Sequence, residues 1–515
     1  MIILKYMKSG RFIFLIFLSI MLTYSCTKLN ETVGGNLTPG QVKRDSSSTS
    51  ELLKGLYASL EFAFTSYLQI FPLADITTDE AIVPTRGQDW YDSGNWIVLH
   101  QHKWDANNGT IHDCFNSLSG VVFAATDMLQ YNPTVQQQAE ARFLRAFAMY
   151  WLLDLFDQVP YREPGEGVVQ QARVRKGDSA LSYIISEINS VEPDLPDGPA
   201  GTANKYAAKV LLMKCYLNKA VYLNRAEPAF DAADMNKVIS LADEIINSNA
   251  YSFSANYFDN FAPDNDVSGR ENIFTQLSSS NTSLALAWLA VLHYAQGGFN
   301  GFTTLSVFYD KFEPTDKRRE AVYSYPNSPP NPGAHPNVGF LIGQQYDIFT
   351  GDSLPVNYTP DVKIIEPGPD LTNSGIRPIK YAPDYAHFYQ PDNDFVYFRF
   401  PDVLLMKAEA ILRRGTPTNA GPYGNTALSI VNAVRTDPSR SATALSSVTL
   451  DDLFDERGRE LWWENWRRQD MIRFKKFLLP FQEKDYQSDP KYLLFPIPYD
   501  QLAVNSKYLH QNPGY

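Results

Sequence analysis

Cysteine is nearly absent from this 515-residue chain, and the three present, Cys26, Cys114 and Cys215, are too few for a disulfide scaffold. Positive charge is also scarce: 45 Lys and Arg stand against 57 Asp and Glu, a formal net charge of −12. A nucleic-acid binder draws most of its affinity from cations set against phosphates, so no nucleic-acid partner is expected. The chain has no Gly-rich phosphate loop, no dinucleotide fingerprint and no His-Glu-x-x-His helix, so neither a cofactor nor a catalytic metal is expected. Long hydrophobic runs are missing as well. The apolar run Phe12–Leu22 has eleven residues, too few for a bilayer core about 30 Å thick, and no later stretch reaches that length.

That short run has a use. Lys5, Lys8 and Arg11 precede it and Leu22-Thr23-Tyr24-Ser25-Cys26 follows it, the order of a secretory signal. A small residue directly before a cysteine resembles a bacterial lipobox, so residues 1–25 are expected to be a lipoprotein signal and Cys26 the acylated residue. The mature chain, 26–515, is expected to be one soluble domain apart from its anchor.

Hydrophobic residues make up 44% of the chain and charged residues 20%, enough for a sizeable core. Apolar residues recur at helical spacing from Ser48 and over 111–130, 136–156, 178–190, 205–223, 235–247, 403–413, 427–435 and 450–474. The pentapeptide Val-Leu-Leu-Met-Lys occurs at 210–214 and again at 403–407, each time inside such a helix. Short connections suggest antiparallel pairs stacked as a tetratricopeptide-like superhelix, a mainly α fold. Cys114 and Cys215 fall in helical patterns and read as core. The organisation is helical over 48–250, irregular over 251–400 and helical again over 401–515, with a polar, aromatic loop at 74–108. A long irregular insert between helical blocks is usually functional.

Aromatics are the abundant class: 13% of the chain, with 31 Phe, 30 Tyr and 8 Trp. They interleave with planar polar groups in Arg86-Gly87-Gln88-Asp89-Trp90-Tyr91-Asp92-Ser93-Gly94-Asn95-Trp96 and in His293-Tyr294-Ala295-Gln296-Gly297-Gly298-Phe299-Asn300-Gly301-Phe302. An indole stacks on the C–H face of a sugar, and Asp, Asn, Gln and Arg pair with its hydroxyls. Arg86, Asp89, Trp90, Tyr91, Trp96, Tyr294, Phe299, Asn300 and Phe302 are therefore the candidate ligand residues. The alternative is that Trp90 and Trp96 are packing residues that staple the loop to the helices.

Catalytic patterns are weaker. Gly351-Asp352-Ser353-Leu354 with Asp384-Tyr385-Ala386-His387 has the residues of a hydrolase triad but lacks the strand that should precede the serine. His100-x-His102 with His112-Asp113 could hold a metal, but its setting is loop-like and the histidines are expected to be solvated. Asp75, Asp79 and Glu80 supply carboxylates of the kind a glycosidase needs. No catalytic residue is assigned.

The C-terminal block Glu456-Arg457-x-Arg459-Glu460-Leu461-x-Trp463-Glu464-x-x-Arg467-x-x-Asp470-Met471-x-Arg473-Phe474 resembles a signature of the SusD/RagB family of outer-membrane nutrient-binding lipoproteins. The endings Leu494-Phe495-Pro496-Ile497-Pro498 and Gln511-Asn512-Pro513-Gly514-Tyr515 look like the family's too, as do Ala141–Ala146 with Leu155–Pro160 and Arg399–Ala410. Over 456–473, Glu464 is expected to pair with Arg467 or Arg468 and Asp470 with Arg473 along one helix, tying the tail to the scaffold. The resemblance implies four tetratricopeptide-like helix pairs carrying an irregular ligand face. It further implies a non-catalytic surface lipoprotein that lids a SusC-like TonB-dependent barrel in the outer membrane and hands it oligosaccharide. The segments 86–96 and 294–302 look like the family's ligand loops. Peptide cargo on the same scaffold, a glycosidase, and a lid without ligand affinity of its own are the alternatives.

Overall fold

A computed structural model describes residues 46–167, 169–278, 284, 288–325, 334–368 and 371–515. The expected signal and the acylated Cys26 lie outside these residues. The helices used below are α1 (Ser46–Thr65), α2 (Asn95–His100), α3 (Gly109–Met128), α4 (Val135–Phe156), α5 (Gly177–Val191), α6 (Lys205–Leu223), α7 (Ala232–Asn247), α8 (Phe400–Leu412), α9 (Ala427–Arg435), α10 (Leu450–Leu461) and α11 (Arg467–Arg473). Side-chain caps start many of them: the Asn108, Thr134, Asn204, Asp231, Thr426 and Thr449 side chains each accept an otherwise orphaned backbone N–H of the first turn.

Helix α4 is buried almost all round from Ala139 onward, with Glu140, Arg145 and Asp154 among its buried residues. It packs on α3, α5 and α1; α6 packs on α5 and α7, and α8 on α9, giving the mainly α, paired-helix architecture. The array is broken in sequence but not in space. Helix α7 packs directly on α8, although residues 248–399 lie between them.

The intervening segment is built from short strands rather than from loops alone. The strands used below are β1 (Ala81–Ile82), β2 (Thr85–Arg86), β3 (Asn272–Gln276), β4 (Thr303–Thr304), β5 (Gly343–Tyr346), β6 (Ser353–Tyr358), β7 (Ile365–Glu366) and β8 (Phe395–Arg399). β3 pairs antiparallel with β8, with Asn272 opposite Arg399, and so closes the insert at its base immediately before α8. β1 pairs with β4 and β2 runs parallel to β7, which brings the 81–86 segment beside two distant parts of the insert.

The expected helix over 450–474 is two helices. Trp462 leaves α10 with ψ 137°, and Trp463 and Asn465 take φ of 58° and 67°. The cause is burial of three tryptophans. Trp462 packs on Phe340, Trp463 on Phe71 and Trp466 on Trp151, three directions that one helical face cannot serve. The break redirects the charged residues as well. Glu464 pairs with Arg399 and Lys380 rather than with its helical neighbours, Arg467 takes Asp79 and Arg468 takes Asp154. Asp470 does accept Arg473 within one turn, at 2.6 Å.

These contacts form a buried ionic network that ties α10 to the insert. Glu460 accepts from Arg399 at 2.7 Å, Arg440 at 2.6 Å and Arg318 at 2.9 Å, and Glu271 accepts from Arg399 and Arg440. Arg318 also binds Asp316 and Glu456. The surrounding guanidinium groups outweigh burial and hold Glu460 well below the usual carboxylate range. The tail is stitched on separately. The Phe495 N–H donates to the Leu155 carbonyl at 2.9 Å, and Asn512 Nδ2 donates to the Phe156 carbonyl at 3.0 Å.

Candidate functional site

After α1 the chain tightens into a single π-helical turn, Pro72–Ile76, and runs through β1 and β2 to the 86–96 loop. The β1–β4 pairing places that loop on the 288–302 segment, which is folded back on itself. There the Phe299 N–H donates to the Leu289 carbonyl, and the Gly301 and Phe302 N–H groups to that of Ala290. The two aromatic segments singled out in the sequence therefore lie side by side.

Trp90 joins them. Its backbone takes φ 59°, and its indole N–H donates to the Phe299 carbonyl at 2.7 Å. The ring packs on Phe302, Trp96 and Tyr67 at centroid distances of 5.3, 5.9 and 6.1 Å. It lies so close to Gly301 that a Cβ there would fall 2.4 Å from Trp90 Cε2. Across the junction the Tyr294 hydroxyl donates to Asp89 at 2.7 Å, and burial together with that carboxylate pushes the Tyr294 hydroxyl up to about 12.

The nine candidate residues divide by exposure. Tyr91, Tyr294 and Phe299 are 52%, 42% and 42% exposed, Asp89 is exposed, and Trp90 is half-buried at the rim. Four others are framework, a correction to their reading as ligand contacts. Trp96 and Phe302, each 1% exposed, are packing residues; Trp96 donates to Asp92 at 2.6 Å and its ring meets Phe302. Arg86 donates Nε–H to the Asn300 carbonyl and its Nη2 to the Ser374 carbonyl, and Asn300 accepts from Arg377 while donating to the Thr372 carbonyl. These buried groups clamp the 371–375 turn under the loops. Burial lowers the pKa of both Arg86 and Arg377, and the charge of Arg377 adds to the shift of Arg86.

Three ring neighbours were not among the candidate ligand residues: Tyr67, Phe71 and Trp463, the last read only as part of the C-terminal signature. Tyr67 and Phe71 pack on Phe302, and Phe71 packs on Trp463. All four rings, with Trp288 and Lys380, line a narrow apolar cleft beneath Trp90. For Tyr67 and Phe71 the available signal is their place just beyond the helical spacing of α1, between that helix and the aromatic loop.

The catalytic patterns do not assemble. His387 Nδ1 lies between Asp384 and Asp392, and among the described residues no hydrogen bond joins it to Ser353 on β6. His100 and His102 are buried, not solvated. His100 sits between the Ile76 and Gln482 carbonyls and His102 between Thr77 and Ser488, so no ring nitrogen of the pair is free for a metal, and burial lowers both pKa values. His112 faces Asp113 and Asp500 elsewhere. Asp79 is held bidentately by Arg467, Glu80 accepts the Trp463 N–H, and Asp75 is fully buried. These carboxylates serve the 462–466 break.

Asp75 is pushed up to about 8 by burial, with Glu464 adding to the shift and Arg467 opposing it, and Glu80 is raised by burial and by Asp75. An acid kept neutral in the fold but ionised near pH 4 in the unfolded chain makes stability fall as pH rises from about 4 towards 8. Asp75→Asn is thus expected to raise the melting temperature at pH 8 by about 2 °C or more and to leave it nearly unchanged at pH 4.5. Thermal melts at the two pH values check this, and an equal shift at both would place the effect in packing, not titration.

Among the described residues no helix is long and apolar enough to cross a membrane. Residues 240–515 match the SusD family. The chain is 26% identical over 428 residues to the starch-binding protein SusD of Bacteroides thetaiotaomicron, covering 74% of this chain and 73% of that one. In fold it is similar to a SusD superfamily protein from Parabacteroides distasonis, with a TM-score of 0.70 at 19% identity, covering 93% of this chain and 100% of that chain. It is also similar to the surface glycan-binding protein A from Bacteroides thetaiotaomicron in complex with laminarihexaose, with a TM-score of 0.64 at 17% identity, covering 90% of this chain and 99% of that chain.

Proposed function

Because the chain belongs to the SusD family, we propose that it is a non-catalytic glycan-binding protein that captures oligosaccharide on the joined 86–96 and 294–302 loops. The observation that carries this reading is the rim itself. A half-buried indole with a fixed orientation stands beside exposed Tyr91, Tyr294 and Phe299, with Asp89 among them to accept hydroxyl protons. The arrangement is shallow and open, which suits a chain ligand. A few stacking contacts of about 0.5–1.5 kcal/mol each give micromolar-to-millimolar affinity. Capture and release need no more. The names of the starch-binding and laminarihexaose-bound relatives point to the same ligand class.

The rest of the assignment follows the family resemblance. Residues 1–25 are the lipoprotein signal, 26–515 the mature domain, Cys26 the acylated residue and the outer-membrane surface the location. The partner is a SusC-like TonB-dependent transporter that receives the bound glycan. Isothermal titration of residues 27–515 against neutral and acidic oligosaccharides tests the binding reading. Micromolar-to-millimolar binding of one sugar class without cleavage, weakened at least tenfold by Phe299→Ala or Tyr91→Ala, is the expected result. Both side chains are exposed, so the fold should survive their loss. No binding of any sugar, or sugar binding indifferent to both substitutions, would overturn the site, and binding of peptides in place of sugars would move the cargo to another class.

A further inference from the structure

A second cluster lies in the insert, on the turn 384–392 that leads into β8. The Asp384 carboxylate is nearly buried and fixed in direction. Its Oδ1 accepts the N–H groups of Ala386 and His387 at 2.9 and 3.0 Å, and its Oδ2 accepts that of Asp392 at 3.1 Å. The turn is closed again by the Gln390 N–H, which donates to the His387 carbonyl. This folding aims three side chains at one point. His387 Nδ1 lies 3.5 Å from Asp384 Oδ2 and 3.0 Å from Asp392 Oδ2, and one ligand atom of each of the three residues falls within 4.8 Å of the others.

These distances have a chemical reading. A tetrahedral ion with His N and carboxylate O bonds of about 2.0–2.2 Å needs donor atoms about 3.3–3.5 Å apart. The two histidine–carboxylate separations bracket that spacing. Two carboxylates turned on one imidazole nitrogen carry a charge of −2 that a dication neutralises directly. One imidazole with two carboxylates suits borderline ions such as Zn²⁺. Ca²⁺ prefers six to eight oxygens, and Mg²⁺ keeps most of its water. His387 and Asp392 are exposed, so the remaining coordination positions face solvent.

We propose that Asp384, His387 and Asp392 form a zinc-class divalent cation site with an open face. Metal binding there cross-links the two ends of the 384–392 turn. The turn also carries Phe388 and Tyr389. Phe388 packs on Trp288 and Phe349 at 5.7 and 5.3 Å, so the ion would fix this second aromatic patch beside the apolar cleft that Trp288 lines. The proposal is independent of the glycan reading.

The test is titration of the tag-free chain, residues 27–515, with ZnCl₂ in a non-chelating buffer, followed by Co²⁺ substitution and visible absorption. The expected result is one equivalent of zinc bound at micromolar affinity, weakened at least tenfold by His387→Ala and by Asp392→Asn. A Co²⁺ d–d band should be lost in the same variants, and CaCl₂ should not compete at equal concentration. His112→Ala, at the other exposed His–Asp contact, should leave the titration unchanged. Because His387 and Asp392 are exposed, the variants should keep the parent melting temperature in EDTA. Absence of zinc binding below millimolar concentration, or binding that survives both substitutions or falls with His112→Ala, would overturn the site.

Discussion

Glu460→Gln is expected to cost about 3–5 kcal/mol of folding stability and to leave little folded protein at 37 °C. The glutamate is the point where Arg318, Arg399 and Arg440 meet, all fully buried, with both carboxylate oxygens occupied. An amide of the same shape removes the negative charge and turns an N–H₂ towards a guanidinium. Arg318 keeps Asp316 and Glu456 and Arg399 keeps Glu464, but Arg440 is left with Glu271, which it shares with Arg399, and all three guanidinium groups lose a charged partner away from water. A buried ion pair need not stabilise a fold relative to an apolar pair, but removing one partner strands the others. Urea unfolding measures the loss. Glu227→Gln, which breaks the exposed contact with Lys475, is the comparison and should change stability very little. A Glu460→Gln variant as stable as the parent would mean that the network is not the clamp between α10 and the insert.

Gly301→Ala is expected to weaken oligosaccharide binding at least tenfold while sparing most of the fold. A methyl group at 301 would stand 2.4 Å from both Cε2 and Cζ2 of Trp90, far inside any real carbon contact. The indole is the mobile partner, because it is half-buried at the rim while Gly301 is held by its N–H to the Ala290 carbonyl. The methyl group therefore expels the ring, breaks the 2.7 Å bond to Phe299 and removes a stacking surface without altering Tyr91, Tyr294 or Phe299. A tenfold loss is about 1.4 kcal/mol, within reach of one misplaced aromatic. Titration reads the affinity, and a shift in tryptophan emission reports the displacement. Displacement with undiminished binding would remove Trp90 from the ligand face.

Much of the fold could be read from the residues because most helices carry their own signals. α6 and α9 match their expected limits, and α4 begins one residue before its expected start because Thr134 and Gln137 form a reciprocal cap. α8 starts three residues before its apolar spacing does. Pro401 sits at its first turn, where a missing N–H costs nothing, and Asp402 is acidic at the positive helix end. The break at 462–466 was hidden. Its residues keep helical spacing, and only the separate destinations of Trp462, Trp463 and Trp466 force the chain out of the helix. The loops showed their aromatic character but not their exposure. Trp90 and Trp96 have similar local settings in sequence and both pack on Phe302, yet Trp90 stands at the rim while Trp96, on α2, is sealed beneath it. The partners of Arg86 and Asn300, residues 371–377, lie too far along the chain for spacing to indicate.

The direct packing of α7 on α8 across residues 248–399 bears on synthesis and on change over time. As the chain emerges, the face of α7 that α8 covers stays bare until the whole intervening segment has followed, a non-local closure of the kind that slows folding. The two ends of that segment meet in the β3–β8 ladder, where Thr275 stands opposite Val396. Chain added or removed between those strands changes the closure entropy only with the logarithm of its length, about 0.6 kcal/mol per doubling. The scaffold can thus keep its register while the segment between β3 and β8 is lengthened, shortened or rewritten for a new ligand.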